Sequence, residues 1–406
     1  MKIKKSAFRY NFLMLYLALG SIVWFASFSL GILKSILLIL VILSNFIILK
    51  KSKTYVYFKY FLIFILIISL SFFFNLNKIN DETTDVISLY YTYFLNYLFL
   101  ILGYAYFNSE NSNSTFLRNI NWIIVPLCFL TISNLILNFP NWYAPNLVEH
   151  FEEMSSLGYE ANLAGLYSSG FGLGRTGWAT TLSQYLPLVL LLFLNKSKSL
   201  TIVSYLIILL SVFISGSRGG FMISFLISII ILVKTTNKLI FPLLLLVFGF
   251  AGFIALENSE LISFYRLDSG DITSGRSGQY LLVPEMLLQG GLFGLGIDGS
   301  HNFSKPYNFD YALHNVYLRF FIDYGWVIGT FVLVFSFKIF RKIIRTLLMI
   351  PFKGNEMITI FSLILLGGLI AGLTEPSAVF EARSWWVIWW FSCGAFLNLY
   401  KRIVKK

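Results

Sequence analysis

Apolar residues in this chain run in long blocks, not in the short clusters of a water-soluble core. About twelve of these blocks approach the roughly 20 residues that a helix needs to cross a bilayer. They cover 9–26, 30–49, 56–75, 86–107, 119–138, 177–195, 199–215, 219–233, 238–256, 316–337, 356–374 and 384–400. The pattern predicts an all-α fold: a polytopic membrane protein with about 12 transmembrane helices, forming a single membrane domain over 1–406. No soluble domain, repeat or low-complexity linker interrupts it.

The polar residues between the blocks sort by sign. Lys2, Lys4, Lys5 and Arg9 precede the first block. Every second connection then carries basic residues: Lys50, Lys51 and Lys53, then Arg118, Lys196 and Lys198, Lys234 and Lys238, and the cluster Lys338, Arg341, Lys342, Arg345 and Lys353. The alternate connections hold acids, among them Asp81, Glu82, Asp85, Glu149, Glu153, Glu257, Asp268 and Asp271. Cytoplasmic loops of membrane proteins are enriched in Lys and Arg, so both termini are expected in the cytoplasm. The net charge of +12 is largely this topological signal, and no nucleic-acid partner is expected from it. The first block follows a basic stretch without a small-x-small cleavage site, so it is expected to stay as an uncleaved anchor.

Composition agrees with the pattern: 57% of residues are apolar, 18% aromatic and only 12% charged, about half the charge of a soluble domain. Cys128 and Cys393 both fall inside apolar blocks, where they act as small apolar residues and not as a disulfide.

Only two connections are long, and both face outward: 139–176 and 257–315. Within the first, 146–158 places Leu147, Phe151 and Met154 opposite Glu149, Glu152 and Glu153. Such a helix either lies on the membrane surface, capping a cavity, or is an ordinary surface helix. The longest cytoplasmic connection, 338–355, is short, basic and partly helical, and no Gly-rich phosphate loop opens a helix. An enzyme drawing on a cytosolic nucleotide donor is therefore excluded. Any chemistry belongs at the outer face or within the membrane.

Outward-side basic residues are Lys78, Arg175, Arg218, Arg266, Arg276, Lys305, Arg319 and Arg383. Arginine dominates here, whereas the inner side uses lysine freely. A guanidinium presents a planar fork of donors matched to phosphate oxygens and stays charged when buried. Converging arginines beside a membrane point to a phosphorylated lipid; a carboxylate partner or headgroup contact remains the other reading of any single one. Arg218 lies between two apolar blocks, where a charge at a helix centre costs roughly 2.5–3.5 kcal/mol. Three of these arginines have small neighbours: Gly174-Arg175-Thr176-Gly177, Ser215-Gly216-Ser217-Arg218-Gly219-Gly220 and Gly275-Arg276-Ser277-Gly278. Glycines let backbone approach a ligand and expose N–H groups to an anion, although a plain turn between helices needs them too.

His314 stands at the outer end of its block. Asn315, Arg319 and Asp323 follow at four-residue steps and share one helical face. Arg319 and Asp323 are expected to form a buried pair or to bond to neighbouring helices. An imidazole has an ordinary pKa near about 6.5, which suits His314 to proton abstraction at neutral pH, though a lone histidine also serves structure. His301 and His150 rank below it. Asp268 and Asp271 are spaced as a hard-cation pair, but they lie in a solvated loop and no metal is expected. Trp142, Tyr143, Trp385 and Trp386 suit an interfacial aromatic belt or stacking on sugars.

The order of these motifs resembles the O-antigen polymerase/O-antigen ligase family of bacterial membrane glycosyltransferases. It runs from Ser215–Gly220, through Gly275-Arg276 and Leu292-Phe293-Gly294-Leu295-Gly296, to His314-Asn315-Val316-Tyr317-Leu318 and Tyr324-Gly325-Trp326-Val327-Ile328-Gly329, covering about 200–335. The resemblance implies a GT-C-like bundle in the bacterial inner membrane, with its site facing the periplasm and no cofactor. It implies an undecaprenyl-diphosphate-linked oligosaccharide as substrate and a chain-length regulator as a partner beside the lipid bilayer. Arg218 and Arg276 would hold the donor diphosphate, joined by Arg175, and His314 would activate the acceptor hydroxyl. The family's polymerases often carry a glycine eleven residues after such arginines, and these three do not fit that spacing. Polymerase is the leading expectation. The alternatives are ligase or oligosaccharyltransferase and, in a different class, a lipid-linked oligosaccharide flippase.

Overall fold

The computed structural model describes residues 12–18, 36–45, 55–75, 83–108, 112–137, 174–194, 198–215, 217–235, 276–307, 313–375, 379–380 and 386–404. Short helical stretches at 12–18 and 36–45 come first. The longer elements begin with α1 (Tyr55–Phe74), α2 (Thr83–Tyr106), α3 (Ser112–Asn119), α4 (Asn121–Leu137), α5 (Gly174–Leu194), α6 (Lys198–Ile214) and α7 (Arg218–Thr235). They continue with α8 (Arg276–Leu281), α9 (Val283–Gly290), α10 (Gly299–Ser304), α11 (Val316–Asp323), α12 (Gly325–Met349), α13 (Glu356–Thr374) and α14 (Val387–Val404). Among the described residues there is no strand, and the fold is all-α. Ser112–Ile136 and Glu356–Thr374 are long and apolar enough to cross a membrane, and shorter apolar helices include Phe61–Ser71 and Arg218–Ile231. The expected helix at 238–256, the reading of 146–158, and Asp268 and Asp271 lie outside the described residues.

Helix α5 is the buried centre. From Trp178 to Leu192 its side chains are shut off from the surface by α6, α7 and α13. The Trp178 indole donates to the Ser211 hydroxyl of α6 at 2.9 Å, so the largest buried side chain of this helix also has its polar atom satisfied. Helices α2 and α14 cross at their glycines: a Cβ on Gly103 would overlap the Phe391 carbonyl, and one on Gly394 the Leu100 carbonyl. Small residues at such a crossing let two backbones touch. Asn398 locks the crossing by donating to the Tyr104 carbonyl at 2.9 Å.

One expectation needs correction. The block 316–337 is not one helix but two, α11 and α12, broken at Tyr324–Gly325. The break is made by the Leu292–Gly296 turn, which docks onto it backbone to backbone. Leu295 N donates to Ile322 O at 2.7 Å, Gly296 N to Asp323 O at 3.0 Å, and Trp326 N to Gly291 O at 3.1 Å. These bonds satisfy carbonyls at the end of α11 and an amide at the start of α12 that would otherwise be orphaned. The approach is possible because Gly294 and Gly325 have positive φ (78° and 88°) and no side chains; a Cβ on either would overlap the other strand of backbone. Gly325→Ala is expected to cost at least about 2 kcal/mol, from the left-handed backbone and the backbone overlap together. A lowered thermal midpoint of the purified protein would register it, and an unchanged midpoint would count against the docked turn.

The two ends of the bundle differ in charge. Lys338, Arg341, Lys342 and Arg345 occupy the second half of α12, where Lys342 sits 5.6 Å over the Tyr400 ring of α14. Lys234, in the last turn of α7, donates to the Ile350 carbonyl at 3.1 Å and so joins the same end. The first residues of α7 and α11 lie at the opposite end.

Candidate functional site

The stretch Ser215–Gly220 is the connection between α6 and α7, and its small residues have separate tasks. The Ser215 hydroxyl donates to Val212 O at 2.6 Å and accepts from Ser217 N at 3.2 Å. Ser217 caps α7, its hydroxyl accepting from Gly220 N at 3.2 Å. An N-cap serine satisfies an amide that the first helical turn leaves free. Arg218 follows as the first residue of α7 and is half-buried. Gly220 admits α5, because a Cβ there would overlap Ala179. Gly219 admits the end of α13: its Cβ position lies 3.3 Å from Thr374 Oγ1 and 3.4 Å from Glu375 Oε1.

Glu375 was not among the residues singled out from the sequence. Only 6% exposed, it follows the last residue of α13. There a carboxylate opposes the negative end of α13 but suits the positive end of α7. The one sequence signal is its place directly after an apolar block, as Thr374-Glu375-Pro376.

The segment that follows His314 packs on the same end of α13. His314 is half-buried at the centre of a three-residue turn closed by Asn315 N donating to Leu313 O at 2.9 Å. Asn315 then caps α11, its side chain accepting from Leu318 N at 3.1 Å. The next two residues, Val316 and Tyr317, pack against Gly372: its Cβ position lies 3.0 Å from both Val316 Cγ1 and Tyr317 Oη. Tyr317 also donates to the Leu369 carbonyl at 2.9 Å. Gly372 and Glu375 are three residues apart, roughly 5 Å along a helix. The segments bearing Arg218 and His314 therefore meet around one helix terminus, although 96 residues (314 minus 218) separate them in the chain.

Arg276 begins α8, and that helix is tied to His314 by Tyr280, whose hydroxyl donates to the His314 carbonyl at 3.2 Å. Arg175 lies in the first turn of α5, four residues before the Ala179 that meets Gly220. The backbones of Arg175 and Arg276 thus join this end of the bundle, while their side chains lie outside the described residues.

Arg319 and Asp323 do something different. Arg319 Nε donates to Asp323 Oδ2 at 3.2 Å, and Nη2 to Asp298 Oδ1 at 2.8 Å. Asp323 Oδ1 accepts from Ser300 N at 2.7 Å. Asp298 holds a left-handed backbone (φ 52°) just before α10. The group staples α10 and its preceding turn to α11 beside the docked Leu292–Gly296 turn. Of the polar stripe read from the sequence, Asn315 is a helix cap and the other two form this staple. His301 is half-buried on α10.

Among the described residues no group of three or more His, Cys, Asp or Glu side chains is placed to hold a metal ion. The arrangement instead offers a guanidinium at a helix N-terminus, a half-buried imidazole and a buried carboxylate around one helix end. Helix N-terminal amides and a guanidinium suit an anionic group, and an imidazole suits proton transfer from a hydroxyl. No family model, curated protein or solved structure matches this chain.

Proposed function

We propose that this protein is a polytopic inner-membrane glycosyltransferase that acts at the outer face, and specifically an O-antigen (surface polysaccharide) polymerase. In this reading a glycan carried on undecaprenyl diphosphate is moved onto the terminal sugar of a second lipid-linked repeat unit. One observation carries the reading. The segments that carry Arg218, at the head of α7, and His314, before α11, both pack on the C-terminal end of α13, opposite the lysine- and arginine-rich end.

The chemistry is a single displacement. The acceptor hydroxyl oxygen attacks the anomeric carbon, His314 takes its proton, and the carbon–oxygen bond to the diphosphate breaks. The bonding pair leaves with the lipid diphosphate, whose growing charge is assigned to Arg218 and Arg276, joined by Arg175. Fixed cations aimed at developing charge need no reorganisation during the step. Inversion at the anomeric carbon follows, and a retained linkage in the product would overturn the mechanism.

Glycolipid profiling of cells lacking the protein tests the function. Loss of a polymerase leaves the acceptor core carrying a single repeat. A bare core with polymer stranded on undecaprenyl diphosphate would make the protein a ligase. Unaltered repeat units trapped on the cytoplasmic leaflet would make it a flippase.

A further inference from the structure

The second outward loop contains a helix whose exposed face is apolar. On α9, Val283 and Met286 are buried, and Glu285 and Gln289 form an exposed polar edge joined by a 3.2 Å hydrogen bond. A third face is neither buried nor polar: Leu288 is 77% exposed, flanked by Leu281 at 81% and Leu292 at 60%. Three exposed leucines around one eight-residue helix form a patch and need a partner of their own.

The patch does not end at α9. Phe293 stacks on Phe74 at 4.0 Å between ring centroids, and Ser71 of α1 donates to the Phe293 carbonyl at 2.5 Å. On the other side the Trp326 indole donates to the Leu287 carbonyl at 3.1 Å. Helix α9 thus forms a ledge between the end of α1 and the start of α12. Both helices carry exposed apolar stripes away from this point: Leu62, Leu66, Leu70 and Phe73 on α1, and Val327, Val334 and Phe337 on α12. Leu288 of α9, with Leu281 at the end of α8 and Leu292 in the following turn, adds exposed apolar surface to the ledge between these two stripes.

We propose that α9 is an interfacial helix seated in the outer leaflet, with Leu281, Leu288 and Leu292 among lipid acyl chains and Glu285 and Gln289 toward water. The inference rests on the reading of this chain as membrane-embedded with its Arg218–His314 end outward. Lipid is the occupant because the patch is continuous with the apolar stripes of α1 and α12. It carries no charge for a protein partner to match, and it ends at a tryptophan whose N–H is already satisfied, as interfacial aromatics require. Helix α9, which follows the α8 helix tied to the His314 carbonyl, is then set at headgroup depth, where a lipid-linked diphosphate would lie.

Spin labels on the full-length protein in nanodiscs test this, with Cys128→Ala and Cys393→Ala as background. Labels are placed through Leu288→Cys, Gln289→Cys and Leu66→Cys, and their collisions with oxygen and with a polar nickel chelate are compared. The expected result is an oxygen-to-nickel accessibility ratio at 288 several-fold above that at 289 and below that at 66, which lies deeper along α1. A nickel-accessible 288 with an oxygen-dominated 66 overturns the ledge and leaves the membrane reading intact. Nickel access at both overturns the membrane reading itself. Dipolar broadening between labels at 288 on separate copies overturns lipid as the occupant in favour of a second copy of this chain.

Discussion

Replacing His314 by alanine is expected to lower glycan transfer by about 10²–10⁴-fold, the usual contribution of a positioned general base. Arg218→Ala is expected to lower it by about 10²–10³-fold, as loss of one preorganised charge-stabilising group does. Both chains should fold. The bonds described at 314 use its backbone carbonyl, and the cap of α11 belongs to Asn315. The cap of α7 likewise belongs to Ser217, not to Arg218. Arg218→Lys should recover only part of the loss, because an ammonium keeps the charge without the fork of donors. The two variants differ in pH response: with His314 gone, residual transfer should rise with pH as hydroxide replaces the base, whereas Arg218→Ala should keep the original profile. Initial rates on a lipid-diphosphate glycan with membrane-reconstituted protein provide the measurement. Full activity in both variants would remove these residues from the site.

The largest stability effect is expected from Arg319→Ala, at about 3–5 kcal/mol, the range for leaving a buried charge without its partner. Asp323 is 1% exposed, and without Arg319 its neutral partner Ser300 would remain, from whose N–H it accepts. Asp323→Ala should cost less, because Arg319 would still hold Asp298 at 2.8 Å. Asp298→Ala should cost least, at most about 1 kcal/mol, since that carboxylate is half exposed. Removing both charges with Arg319→Leu and Asp323→Leu together should be milder than Arg319→Ala alone, as is usual when a buried pair is replaced by apolar side chains. Denaturation midpoints in detergent test this order, and equal effects at all three positions would reject the staple. His314 stands five residues before Arg319 on the same segment, so activity should fall along with stability.

Hydropathy alone located most helices closely. The block 356–374 coincides with α13, and 199–215 and 219–233 fall within a residue or two of α6 and α7. Serine, glycine and lysine interrupt the apolar run at those ends, so the local sequence carries the boundary. It failed at 316–337, where Phe320 through Ile328 reads as uninterrupted helix apart from Asp323 and Gly325. The break there is imposed by amides of Leu295, Gly296 and Trp326 bonding across to backbone some thirty residues away. Periodicity has no means of registering a remote turn. Hydropathy likewise shows 257–315 only as a long connection, whereas 276–307 is largely short helices, each below the length that a periodic pattern can announce.

For the candidate site, the sequence by itself determined which residues are conspicuous. A guanidinium between apolar blocks and a histidine at the head of one are costly enough in such surroundings to stand out unaided. Charge asymmetry between connections also assigned them to a common side. Only the tertiary structure decided which elements adjoin. Gly219, Gly220 and Gly372 leave room for neighbouring helices, so α7 and α11 both pack on the end of α13, with Glu375 beside the head of α7. It also separated the stripe read from the sequence into a cap at Asn315 and a staple at Arg319 and Asp323. The physical reason is one of range. Solvation cost and helical period are properties of a residue and its near neighbours, whereas close packing at a glycine depends on the partner helix that fills the space.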